Sequence, residues 1–290
     1  GGAALVGQGV MAVNTIADLL ALPAGQRKAD MRYLAKEYHA GTGIGGGEFY
    51  WDAGSVETDN GGTVFAVSGA ATGRFKRLYD GQWYVTWFGA VGDNSTDDTS
   101  SVVSAISNLP DSGTLFFPLG AYIIKSPLVF TRNWQKMVGS SAPFGSNAIS
   151  GTPTASLIFK DLDNDSVGIT LGNYTTLDNL AIVGSANYTG NHTGIYTGKS
   201  ALILRNLTIQ NWSTGVFITE AWYGELSFIN FRHNSLSIRT LRIFNITLKQ
   251  IICNGARKPG QGTQNGIHVN SSQLRILDSS IEAFYGPDGY

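Results

Sequence analysis

Leu177-Asp178-Asn179-Leu180-Ala181-Ile182 and Leu204-Arg205-Asn206-Leu207-Thr208-Ile209 share one pattern: an apolar residue, another three positions later and a third five positions later. The pattern returns at Leu226/Ile229/Phe231, at Leu248/Ile251/Cys253 and, with a serine in the middle place, at Ile276/Ser279/Ile281. First members stand 27, 22, 22 and 28 residues apart, so a period of 22 is interrupted twice by a few extra residues. A repeat this short cannot bury an apolar face alone; it becomes stable by stacking on its neighbours.

A second series keeps step with the first: Gly168-Ile169, Gly194-Ile195, Gly215-Val216, Leu236-Ser237-Ile238 and Gly266-Ile267. Alternation in Val216-Phe217-Ile218 and Ile267-His268-Val269 marks strands, and the repeat leaves no room for helices between them. The expected fold is all-β: a right-handed single-stranded parallel β-helix with one repeat per coil. The 37 glycines among 290 residues and the 14% of charged residues suit a long polar β-surface with many bends. A net charge of −1 without basic clusters gives no reason to expect nucleic acid as a partner. No apolar run is long enough to cross a membrane, so no membrane partner is expected. Cys253, the single cysteine, occupies an inward place and reads as a small buried hydrophobe.

Three regions are expected along the chain. Residues 1–40 read as a connector with an amphipathic helical stretch from Thr15 to Ala21, residues 41–86 as a small β-domain with an Asn60-Gly61 turn, and residues 87–290 as the β-helix. At the junction lies Phe88-Gly89-Ala90-Val91-Gly92-Asp93-Asn94-Ser95-Thr96-Asp97-Asp98-Thr99. Ser95 or Thr96 is expected to cap a helix carrying Asp97 and Asp98 in its first turn, with Val102 and Ile106 closing the open end of the stack. Gly113 to Ile124 is expected to form the first rung.

This junction resembles the opening motif of the pectate-lyase-like β-helix superfamily, in particular of bacteriophage tailspike proteins that degrade capsule or lipopolysaccharide. Gly1 to Gly7 resembles the linker found upstream in such spikes, and Phe49-Tyr50-Trp51-Asp52, Gly61-Gly62-Thr63 and Phe75-Lys76-Arg77-Leu78 look like their small N-terminal domain. The resemblance implies a homotrimer on a virion tail, held by a tail or adaptor protein through its N-terminal region. It also implies endo-cleavage of a capsular or O-antigen polysaccharide by hydrolysis or β-elimination. A non-catalytic adsorption spike, a fragment lacking the active site, and a secreted pectin-degrading enzyme remain as alternatives. The fragment alternative arises because Gly289-Tyr290 would begin a further strand.

Stacked positions lie about 4.8 Å apart, so carboxylates one or two rungs apart have the spacing that glycoside cleavage uses. The candidate catalytic residues are Glu225, whose column holds Ile203 and Thr247, together with Glu282 and His233. The candidate substrate contacts are Trp212, Glu220, Trp222, Tyr223 and Arg232; aromatic faces suit the apolar faces of pyranose rings, and an arginine suits an acidic sugar. Two ion pairs are expected by column: Asp178 with Arg205, and Glu220 with Lys199, the latter column continuing to Thr240. Asn179, Asn206, Phe228, Gln250 and Asp278 form a bend column read as scaffold. Asp161 to Ser166 only partly resembles a calcium loop, so no metal and no cofactor is expected. The sequons at Asn187 and Asn191 are expected by chance in so Asn- and Thr-rich a chain.

Overall fold

Strand pairing in the computed structural model stacks the repeats in the register of the sequence pattern. Leu177 lies opposite Leu204, Leu204 opposite Leu226, Leu226 opposite Leu248 and Leu248 opposite Ile276. The same column extends backwards through Met137, Leu115 and Trp83. Leucine and methionine members up to Leu248 are fully buried. The structure describes residues 9–141, 154–185, 190–254, 265–270 and 273–282. Gly1 to Gly7, Asn187 and Gly289-Tyr290, singled out above, lie outside the described residues, as does the Glu282 side chain.

Each complete coil has three walls. One is the parallel sheet in which Ile169, Ile195, Val216, Ile238 and Ile267 stack inward. The other two are halves of long strands such as Leu202–Gln210 and Gly224–Arg232, joined at one residue with a left-handed backbone. That residue is Asn179 (φ 56°), Asn206 (53°), Phe228 (54°), Gln250 (51°) or Asp278 (47°), so the scaffold column is the corner itself. Asparagine and aspartate tolerate this conformation better than other side chains. Beyond the corner, Ile182, Ile209, Phe231 and Cys253 stack in turn. Cys253 is fully buried and its thiol pKa is pushed up to about 11 by burial, as befits a core residue rather than a nucleophile.

At the N-terminal end of the solenoid the capping helix is present but starts later than expected. Asp93–Asp97 is a strand and the helix runs Thr99–Asn108. The reason is local competition: the Asp93 carboxylate accepts from the N–H groups of Ser95 (2.8 Å) and Thr96 (2.7 Å) and from the Thr96 hydroxyl, holding these residues in a turn. Asp98 takes the N-cap position, but its buried carboxylate accepts from Val91 N–H (2.6 Å) and Gly92 N–H (3.1 Å) instead of from the helix. Burial raises its pKa, against those two bonds. Val102, Ala105 and Ile106 face the core, and the buried Gln135 side chain donates to the Leu109 carbonyl (2.8 Å) at the far end of the helix. Gly113 to Ile124 is not the first rung. Trp83–Tyr84 pairs with Leu115–Phe116, and Asp93 and Asp97 with Ala121 and Ile123, so a partial rung precedes it.

The N-terminal strands β1 (Val10–Thr15), β2 (Arg32–Glu37), β3 (Gly45–Asp52), β4 (Val64–Ala66) and β5 (Arg74–Arg77) form one sheet in the order β1-β2-β3-β5-β4. The sheet runs across residue 40, where a connector was expected to end. The segment is ordered by its own core: Tyr33, Phe49 and Phe75 are fully buried, and Ile16 and Leu19 of the short helix Ile16–Leu20 pack on them. That helix carries the reciprocal Thr15–Asp18 capping box.

Arg77 ties this sheet to the solenoid. Its guanidinium is buried and donates to the carbonyls of Gly62 (2.8 Å), Gly46 (2.6 Å) and Gly45 (3.0 Å). It lies between the rings of Phe49 (4.6 Å) on β3 and Trp87 (4.7 Å) at the solenoid entrance. Burial with no carboxylate partner pushes its pKa down. The planar fork can reach three carbonyls at once and an ammonium cannot. Arg77→Lys is therefore expected to lower stability by about 2–3 kcal/mol in urea unfolding followed by tryptophan fluorescence. A change within error would remove Arg77 from this role.

Candidate functional site

The bend that leads into the second wall carries a column of exposed rings. The paired positions Lys136, Thr176, Ile203, Glu225 and Thr247 fix the alignment, and two residues before each stand Trp134, Tyr174, Ala201, Tyr223 and Asn245. Trp134 and Tyr174 stack face to face at 3.9 Å with an interplanar angle of 6°. One residue earlier in the later coils, Trp222 stacks on Phe244 at 5.1 Å. Trp222 and Tyr223 are 55% and 61% exposed, so both rings are open to solvent. Glu225 is exposed two residues after Tyr223, with Ile203 and Thr247 on the adjoining rungs as expected.

Trp222, Tyr223 and Glu225 are thus brought together, and the other candidates are not. Trp212 does not surface: it is 1% exposed, and its indole N–H donates to the Ile182 carbonyl (3.2 Å). A Cβ on Gly168 would fall 2.7 Å from the Trp212 ring and one on Gly184 would fall 3.0 Å from it, so the glycines of neighbouring coils make the space that the indole fills. Glu220 pairs with Arg242 and not with Lys199. The pairing of Val216 with Ile238 puts Ser237 in the glycine column, and the fifth residue after it is Arg242, not Thr240. The Asp178–Arg205 pair forms at 2.8 Å, reinforced by Asn206.

Arg232 pairs with Asn254 on the next rung and Asn254 with Glu282, so these three share a column at the far end of the third wall. Glu225 and Arg232 are seven residues apart along a strand with a corner between them, at opposite ends of two walls. The backbones of Glu225 and Glu282 therefore lie at opposite ends of these walls. His233 occupies a left-handed bend (φ 54°) beside Arg232. The Arg232 Nε, Gln210 Oε1 and Asn230 Oδ1 atoms are buried without hydrogen-bond partners.

Sequence reasoning missed Trp134, Tyr174 and Phe244. The signal was present: Trp134 precedes Met137 by three residues, as Tyr174 precedes Leu177 and Tyr223 precedes Leu226. Met137 went unrecognised because forty residues separate it from Leu177, nearly twice the repeat. A cavity of about 620 Å³ lies elsewhere, between the N-terminal sheet and the solenoid, lined by Thr42, Ile44, Asp93, Leu119 and Tyr122 among others. The Asp93 carboxylate in it is engaged by its own turn. Among the described residues, no group of three His, Cys, Asp or Glu side chains converges as a metal site would require.

Residues 12–80 match the family described as the phage tail protein small four-stranded β-sheet domain. Residues 84–162 match the rhamnogalacturonase A/epimerase, pectate lyase-like family. Along the chain, similarity to a phage-tail β-sheet domain is thus followed by similarity to pectate-lyase-like proteins. It is 30% identical to a capsule K30/K69-specific depolymerase of Klebsiella phage K64-1, over 43% of this chain and 18% of that protein. Its fold resembles full-length tailspike protein 2 from Escherichia coli O157:H7 bacteriophage CAB120, with a TM-score of 0.71, 19% identity, and coverage of 96% of this chain and 37% of the spike. Pantoea stewartii WceF, a glycan biofilm modifying enzyme with a bacteriophage tailspike-like parallel β-helix fold, gives a TM-score of 0.68 at 16% identity, over 97% of this chain and 43% of that one. The chain spans well under two thirds of the length of each of these proteins.

The different burial of two tryptophans predicts different consequences. Trp212→Ala should destabilise the solenoid by about 3–5 kcal/mol, as for other buried aromatic truncations. Trp222→Ala should cost under about 1 kcal/mol, since its ring is more than half exposed. Thermal unfolding of the two variants checks the pair.

Proposed function

We propose that this chain is part of a phage tailspike that binds a bacterial capsular or O-antigen polysaccharide and cleaves it internally during adsorption. The N-terminal sheet is the tail-proximal element, held by a tail or adaptor protein, and three copies assemble side by side. The observation that carries the reading is the exposed aromatic column, with Glu225 beside Trp222 and Tyr223, on a tailspike-type β-helix behind a phage-tail domain. Pyranose rings present apolar faces to such side chains and hydroxyl edges to a carboxylate. The likeness to the Klebsiella phage depolymerase supports cleavage as well as binding. In this reading Glu225 is the general acid or base, with Trp222 and Tyr223 positioning the sugar.

A non-catalytic adsorption spike is the second reading. It is favoured by one observation: the described residues place no second carboxylate on either rung next to Glu225 in its column.

The test incubates purified host capsule with the trimeric spike and with its Glu225→Gln variant, reading oligosaccharide size by chromatography. Loss of a positioned acid or base should slow product formation by about 10²–10⁴-fold while capsule binding persists. Unchanged cleavage in the variant would remove Glu225 from catalysis, and no cleavage by the parent spike would favour the adsorption reading.

A further inference from the structure

The aromatic column has a gap. Tyr174 and Tyr223 occupy equivalent places two coils apart, and Ala201 stands between them with only a methyl group, next to the small Ser200. Two strand separations put the flanking positions about 9–10 Å apart, leaving one missing ring's width between them. Below the gap, the floor is apolar: Ile203, two residues beyond Ala201, is 42% exposed although it sits in a wall whose neighbouring Thr176 is buried. In the same bend as Ala201, Lys199 is exposed and forms no ion pair among the described residues; the Glu220 carboxylate is engaged by Arg242.

We infer that this slot seats a single pyranose ring between Tyr174 and Tyr223, over Ile203, with Lys199 placed to meet a carboxylate on that sugar. The inference rests on the reading of the chain as a glycan-binding spike and names a subsite within it. A ring inserted midway lies about 4.8 Å from each flanking position, comparable to the 3.9 Å at which Trp134 and Tyr174 already stack. The slot takes the sugar by its two faces, so it selects for pyranoses with equatorial substituents that leave both faces clear. Lys199 adds a preference for a uronic acid over the neutral sugar.

The gap can be closed without new strain. Ala201 has a left-handed backbone (φ 55°), as do Trp134 (61°) and Tyr174 (57°) in the same column, so an aromatic side chain is already carried in that conformation on neighbouring coils. Ala201→Tyr should continue the stack and fill the slot.

The experiment uses the full chain with methyl β-D-glucuronide and methyl β-D-glucoside as probes, followed by ligand-observed saturation-transfer NMR, with near-ultraviolet circular dichroism as the fold check. Parent protein is expected to bind both weakly, the glucuronide about threefold to tenfold more tightly. Ala201→Tyr should abolish both signals with its fold intact, and Lys199→Gln should remove only the preference for the acid. Tyr223→Ala, which opens the slot on one side, provides a second route should Ala201→Tyr fail to fold, and should weaken both ligands by about tenfold. Binding unchanged in the filled or opened variant would overturn the slot, as would absence of binding to the parent. If that happens while whole-capsule binding persists, the subsite fails and the spike reading stands.

Discussion

Everything in this molecule depends on vertical register. A parallel coil satisfies its backbone only through the coils above and below, and a slip of one residue would turn every inward leucine to solvent. The column from Leu115 through Met137, Leu177, Leu204, Leu226 and Leu248 is the record of that constraint, with each member opposite the next and fully buried. The left-handed corner keeps the register from coil to coil: one residue turns the strand, and the same residue position turns it in each repeat. Trp212 shows how closely the interior is matched, since a bulky ring on one coil requires glycine on others.

Register also sorts the surface. Some bend residues, such as Leu171, Trp212, Ala221 and Ile243, belong to the core, but the outward bend positions vary in size without disturbing it, and this is where exposed aromatic groups collect. The same bend position carries tryptophan, tyrosine, alanine, tyrosine and asparagine in successive coils, while the inward position three residues later stays apolar. A scaffold of this kind presents a graduated strip along its axis, a shape suited to a polymer of regularly spaced rings. Arg77 packs the N-terminal sheet against Trp87 at the solenoid entrance.

The inward face was legible because burial forces aliphatic residues at fixed spacing, and five anchors and the corner column could be read directly. The Met137 coil was not, because the chain between Gly139 and Ala155 interrupts the period before Leu177. The helix start was misplaced by competition between an Asp93 turn and a cap, two uses of the same Asp/Ser/Thr chemistry. Of the candidate site, the surface placement of Trp222, Tyr223 and Glu225 was legible because they flank a recognised anchor. Trp212 was misjudged because its fate is set by glycines one and two coils away, which a local reading of an aromatic cluster does not weigh. Glu220 was misassigned by a two-residue error in a column where serine replaces glycine.

The most direct measurement of the central claim is hydrogen–deuterium exchange of the chain with and without capsular polysaccharide from the host. Binding along the aromatic strip should slow exchange in the bends 171–175, 198–201 and 221–224 together, since a rigid polymer spans successive coils. Protection confined to the Arg232–His233 bend, or none at any bend while the polysaccharide is bound, would contradict it.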